Sequence, residues 1–118
     1  MRADRTVVAE MLDAAQLILD YFEGMTEAEF RADTRTQDAV VRRVVVLGEG
    51  ARLVSEGLKA QHPEVPWRTL TGMRNVVAHQ YWFVNLSILW NDLPRDLPPL
   101  MAALEQILPG LPPVEESS

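Results

Sequence analysis

A chain of 118 residues is long enough to bury a core without covalent or metal staples, and one compact domain is the expectation. It contains no cysteine, which excludes disulfide frameworks, thiolate catalysis and cysteine-based zinc sites and fits a reducing compartment. The net charge of −6, from 17 acids against 11 bases, works against non-specific grip on a phosphate backbone, and no apolar run approaches the ~18 residues of a membrane span, so a soluble cytoplasmic protein with no membrane partner is expected.

The opening MRADRTVVAE carries acids early and no signal-peptide core, so it reads as mature sequence. Val7, Val8, Met11, Leu12, Ala15, Ile18, Leu19 and Phe22 recur at helical spacing, and Gly24 follows as a stop. Thr26-Glu-Ala-Glu29 is a capping box that should open a short helical turn around Phe30. A second long helix, capped by Thr36, is expected to carry Val40, Val41, Val44, Val45, Leu47, Ala51, Val54 and Leu58; its β-branched run Val44 to Val46 is too periodic and too extended for a strand. Gly48, Gly50 and Gly57 either weaken this helix or let a neighbour pack closely.

The stretch from His62 to Pro66 is a connector, with Pro66 suited to the first turn of the next helix. That helix buries a stripe of Leu70, Met73, Val76 and Val77 behind Trp67. Asn85 should cap a last helix holding Leu86, Leu89, Trp90 and Leu93, which Pro94 is expected to kink or break, the chain restarting from Asp96 with Pro98 and Pro99 near the new N-terminus. Leu100, Met101, Leu104, Ile107 and Leu108 then face inward, and Gly110 to Ser118 forms a frayed tail. No alternating strand and no repeat is found. The class is all-α, an antiparallel bundle of four to five helices over residues 1–109 with a flexible tail at 110–118.

The charges are arginine-heavy, Lys59 being the sole lysine, and Arg31, Arg35, Arg42, Arg43, Arg52, Arg68 and Arg74 concentrate positive charge in the middle of the chain. Arginine suits bidentate recognition of phosphate or carboxylate, although coding bias yields the same composition. Within this region Met73 to Tyr81 reads MRNVVAHQY, holding one of only two histidines. On a helix the Arg74–Asn75 pair leads His79 by one turn. A histidine near its ordinary pKa can move a proton at neutral pH, and a guanidinium can hold a phosphate and stabilise charge growing on its oxygens. That is the equipment of metal-free RNA cleavage by attack of the 2′-hydroxyl on its own phosphate. The competing reading is structural: Asn75 and Gln80 solvated, His79 a helix-end histidine, Tyr81 and Trp82 packing aromatics. Local chemistry does not separate the two. No histidine–carboxylate cluster has metal-ligand spacing, since His62 and His79 are separated by a connector and most of a helix, so neither metal nor cofactor is expected.

The order of segments adds specificity. Thr36-Gln-Asp-Ala-Val-Val-Arg42, Leu47-Gly-Glu-Gly-Ala51, His62-Pro-Glu-Val-Pro-Trp67, Gly72-Met-Arg-Asn-Val-Val-Ala-His79-Gln-Tyr81 and Asp96-Leu-Pro-Pro-Leu100 together resemble the HepT-like branch of the HEPN superfamily over nearly the whole chain. That resemblance implies a HEPN-like bundle and a metal-independent ribonuclease, the toxin of a prokaryotic toxin–antitoxin module. It assigns Arg74 and His79 as catalytic, Asn75 as supporting them, and Tyr81 as the target of AMPylation by an MntA-like minimal nucleotidyltransferase antitoxin. It also implies a homodimer with both motifs facing one cleft toward RNA, for which Val76, Val77, Trp82 and Phe83 would supply apolar surface. The alternative is a catalytically inactive dimerisation or nucleotide-binding module. Three positions depart from the family pattern: Gln80 where aspartate is frequent, Phe83 where glycine is frequent, and Pro94. Gln80 removes a carboxylate that would raise the His79 pKa.

Overall fold

The computed structural model describes residues 2–79 and 85–113. Its described residues form six α-helices: α1 (Asp4–Phe22), α2 (Glu27–Ala32), α3 (Thr34–Leu53), α4 (Glu56–Gln61), α5 (Trp67–His79) and α6 (Leu86–Ile107), with a 3-10 turn at Leu108–Gly110. The four long helices make the expected all-α bundle, and α2 and α4 are single short links between them. Among the described residues there is no strand, and no helix is long and apolar enough to cross a membrane.

Local chemistry sets most boundaries. Gly24 takes φ 75° after α1, a backbone state that favours glycine. Thr26 and Glu29 form the full reciprocal capping box of α2, and Asn85 accepts from the amides of Ser87 and Ile88 at the start of α6. Two expected boundaries move. Asp33, not Thr36, caps α3: its carboxylate accepts both the Thr36 amide at 3.0 Å and the Thr36 hydroxyl at 2.7 Å, a charged acceptor displacing a neutral one. The helix expected to run on to Leu58 ends at Leu53, because Ser55 turns the chain and caps α4, where Leu58 is buried.

The expected break at Pro94 does not occur. α6 continues through Pro94, Pro98 and Pro99 as one helix. All three prolines lie on its exposed side, where water can serve the carbonyls that lose a donor, while Leu89, Leu93, Leu97, Leu100, Leu104 and Ile107 stay buried on the opposite stripe. Burying that many leucines outweighs a local penalty of about 3 kcal/mol per interior proline only because they act together on one helix.

α3 is the central wall of the bundle, packed against α1 on one side and α5 on the other. Its two neighbours are admitted by two glycines: a Cβ on Gly50 would lie 2.4 Å from Met11 Cγ of α1, and one on Gly48 would lie 2.1 Å from Arg74 Cβ and 2.6 Å from the Leu70 carbonyl of α5. At the far end Phe22, Phe30 and Trp90 join α1, α2 and α6, with ring centroids 5.1 to 5.6 Å apart. Phe30, Met11, Ile18, Leu47 and Leu104 are fully enclosed, and no described polar or charged residue is buried. The start of α1 is tied down twice: Asp4 accepts from the Ser55 amide and hydroxyl, and Arg5 donates to the carbonyls of Leu111 and Pro112. Those two residues begin the segment expected as tail; residues 114–118 lie outside the described chain.

Candidate active site

Helix α5 presents the polar segment. Its N-terminal turn is fixed by burial of Val65 and Trp67 and by the Trp67 indole donating to the His62 carbonyl at 3.0 Å. Leu70 and Val77 are buried and Met73 is half-buried along the core stripe. Val77 is therefore a core residue and not part of an exposed dimerisation surface as expected; Trp82, Phe83 and the side chain of Val76 lie outside what is described.

Arg74 stands on the flank of this stripe, directly over Gly48. The missing Cβ there lets the arginine stem lie against α3 and brings its head level with Glu49. Arg74 Nε faces Glu49 Oε2 at 3.5 Å, with the side chains 35% and 34% exposed. These two facing atoms are shielded from solvent and neither has a hydrogen-bond partner, so the contact is an ion pair held slightly too long for a hydrogen bond. The other oxygen of Glu49 accepts from Arg52, one turn along α3. Arg52 is the main reason the Glu49 carboxyl is held below its ordinary value; partial burial opposes this, and the charges of Arg52 and Arg74 add to it. One carboxylate thus serves two guanidiniums.

Asn75 is exposed and accepts from Arg74 Nη1 at 3.1 Å. This contact answers a geometrical difficulty in the sequence pattern. At ~100° per residue, positions 74 and 79 project about 140° apart around a helix, whereas 75 and 79 stand one above the other. Asn75 draws the arginine head toward the face on which position 79 sits. His79 is the last residue of α5, its side chain is outside the described structure, and Tyr81 and Gln80 lie outside the described residues. So the structure brings Arg74 and Asn75 together and adds Glu49, which the sequence reading did not single out. The only sequence signal for Glu49 is its setting between two glycines in Leu47-Gly-Glu-Gly-Ala51.

A guanidinium has five N–H donors. With Nε in an ion pair with Glu49 and one Nη1 hydrogen on Asn75, the described residues leave three donors for a ligand, enough for a bidentate grip on phosphate oxygens. Among the described residues no group of three or more histidines and acids is placed to hold a metal ion. His62, the other histidine, sits with Nδ1 3.0 Å from Glu64 Oε2 on the connector, away from Arg74.

A family model described as Ribonuclease HepT-like matches residues 11–107. The chain is 29% identical over 106 residues to "Probable ribonuclease HepT" of Thermococcus cleftensis, covering 90% of this chain and 96% of that one. It is likewise 29% identical over 114 residues to "Putative RNase MJ0127" of Methanocaldococcus jannaschii, covering 97% and 94%. No solved structure matches.

Proposed function

We propose, from the premise that this chain belongs to the ribonuclease HepT-like family, that it is an endoribonuclease acting in the cytoplasm as the toxin of a toxin–antitoxin pair. The observation that carries this reading is the Arg74 head, oriented by an acid on one side and an amide on the other, with three of its donors unclaimed by the described residues. In the reaction, the 2′-oxygen attacks the adjacent phosphorus, the bond to the 5′-oxygen breaks, and a cyclic 2′,3′-phosphate and a 5′-hydroxyl result. Arg74 holds the non-bridging oxygens and stabilises their growing charge, His79 carries the proton, and Asn75 supports them through its contact with the Arg74 head. No metal is required for these steps.

The net charge of −6 is no obstacle if two copies present their arginines to one cleft, as the homodimer of this reading does. Apolar surface for a second copy comes instead from Ile88, 54% exposed, and half-buried Met73, which line a groove of about 460 Å³ between α5 and α6. Tyr81, two positions beyond His79, is the residue an MntA-like nucleotidyltransferase modifies: an attached AMP sets a phosphate beside Arg74, occupying the guanidinium and repelling RNA.

The test is cleavage of cellular RNA by the purified chain in excess chelator. Wild type should cut, and Arg74→Ala and His79→Ala should retain only residual cleavage while staying folded. Activity lost in chelator and restored by a divalent ion would overturn the mechanism, and undiminished cutting by either variant would overturn the assignment of its residue.

A further inference from the structure

We infer that Glu49 is a positioning residue for Arg74, fixing the arginine head so that its free donors meet a polynucleotide phosphate; the inference rests on the ribonuclease reading. Three observations converge on it. Gly48 removes the side chain that would keep the two helices apart, and the residue brought into register by that approach is Arg74 itself. Glu49 then offers one oxygen to Arg74 Nε, at 3.5 Å, and the other to Arg52. The atoms that face each other are solvent-shielded and lack hydrogen bonds, so the pair can tighten by several tenths of an ångström when the arginine is loaded.

The chemistry favours a positioning role over a proton-transfer role. Glu49 is held in its ionised form chiefly by Arg52, which makes it a poor proton carrier and a steady anchor. Because it faces only Nε, the described residues leave both Nη2 hydrogens and one on Nη1 to a phosphate. Arg52 in turn fixes the carboxylate from the opposite side, so it cannot swing out to follow Arg74. The cluster of two cations and one anion keeps one net positive charge, and a phosphate neutralises it without displacing the carboxylate.

The experiment compares full-length wild type, Glu49→Gln, Glu49→Asp, Arg74→Ala and the Glu49→Gln/Arg74→Ala pair, with kcat and KM for RNA cleavage and melting temperature for each. Loss of positioning predicts a kcat lowered roughly 10- to 100-fold in Glu49→Gln with KM within about threefold, since misplacement by ~1 Å costs on that order. Glu49→Asp, with the charge kept on a shorter stem, should recover part of the loss. On the Arg74→Ala background Glu49→Gln should cause no further loss, because there is no arginine left to position. A kcat equal to wild type in folded Glu49→Gln, or losses that multiply in the double variant, would overturn the inference. The ¹⁵N resonance of Arg74 Nε, identified by its absence from Arg74→Ala, gives a readout independent of turnover: Glu49→Gln should shift it and speed exchange of its proton. Wild type that fails to cut RNA would sink the ribonuclease reading alone, whereas an Nε signal unmoved by Glu49→Gln would sink the positioning role alone.

Discussion

Replacing Gly48 with alanine adds one methyl group where, among the glycines, a Cβ would meet its nearest neighbour. The new Cβ would sit 2.1 Å from Arg74 Cβ and 2.6 Å from the Leu70 carbonyl oxygen. Neither obstacle is the loose end of a side chain, so relief to the 3.4 Å of ordinary contact requires α5 to retreat from α3 by about 1.3 Å. Overpacking of this kind costs roughly 1–3 kcal/mol, and the better helix propensity of alanine returns about 1 kcal/mol. The net loss should then be about 1 kcal/mol, roughly 4 °C in a thermal melt of a domain this size. Activity should suffer far more, because the retreat carries Arg74 away from Glu49 and from the phosphate; a misplacement near 1 Å costs on the order of 10²-fold. The assay is RNA cleavage alongside thermal melting, with Gly57→Ala as the control. Nothing lies within 4 Å of a Cβ on Gly57, so that variant should keep full activity and match or exceed wild-type stability. A Gly48→Ala protein with wild-type turnover and a raised melting temperature would refute the claim that this approach sets the site.

Phe30→Ala empties the enclosed position between Phe22 and Trp90 and should cost about 3–5 kcal/mol, read as a lower urea midpoint at unchanged slope. Asn85→Ala removes the acceptor for two amides of α6 and should cost about 1 kcal/mol by the same measurement, whereas Asn85→Ser should retain most of it. Asp33 is held below its ordinary value near 3.8, first by the Thr36 hydroxyl and then by the Thr36 amide. A depressed folded-state pKa lends stability that is present above the unfolded value and lost as pH falls through the folded one, so Asp33→Asn should flatten the acid limb of melting temperature against pH below about 4. Tyr81→Phe should keep RNA cleavage yet escape silencing by a cognate nucleotidyltransferase with ATP and magnesium; silencing without an adenylyl mass on wild-type Tyr81 would mean that neutralisation works by binding alone.

What the sequence makes legible is local. The capping box of Thr26 and Glu29 and the cap at Asn85 involve partners two or three residues apart, and the structure has them as read. Leu58 misleads because it keeps helical spacing from Val54 although the chain turns at Ser55 between them; periodicity does not register a one-residue break that preserves phase. Pro94 misleads in the opposite direction, a strong local rule yielding to a buried leucine stripe that only tertiary packing creates. The Arg74–Asn75 contact follows from adjacency, but Glu49 reaches Arg74 across two helices and a connector, and nothing in its own neighbourhood except the two glycines marks it. Val77 is buried, as the helical stripe of Leu70, Met73, Val76 and Val77 reads, so its second assignment to an exposed dimer surface gives way to packing.

The double anchoring of the first turn of α1 bears on the order in which the protein becomes whole. Asp4 and Arg5 are made well before the groups that hold them, which belong to residues 55, 111 and 112. The first turn of α1 is thus among the last parts to be fixed, and such long-range closures form late because their loop entropy must be met first. A nascent chain still short of residue 111 carries Arg74 on α5 without the clasp that holds the first turn of α1. The first turn of α1 therefore gains these hydrogen bonds only once residues 111 and 112 have been added, although α3, which packs along the rest of the helix, is complete well before them.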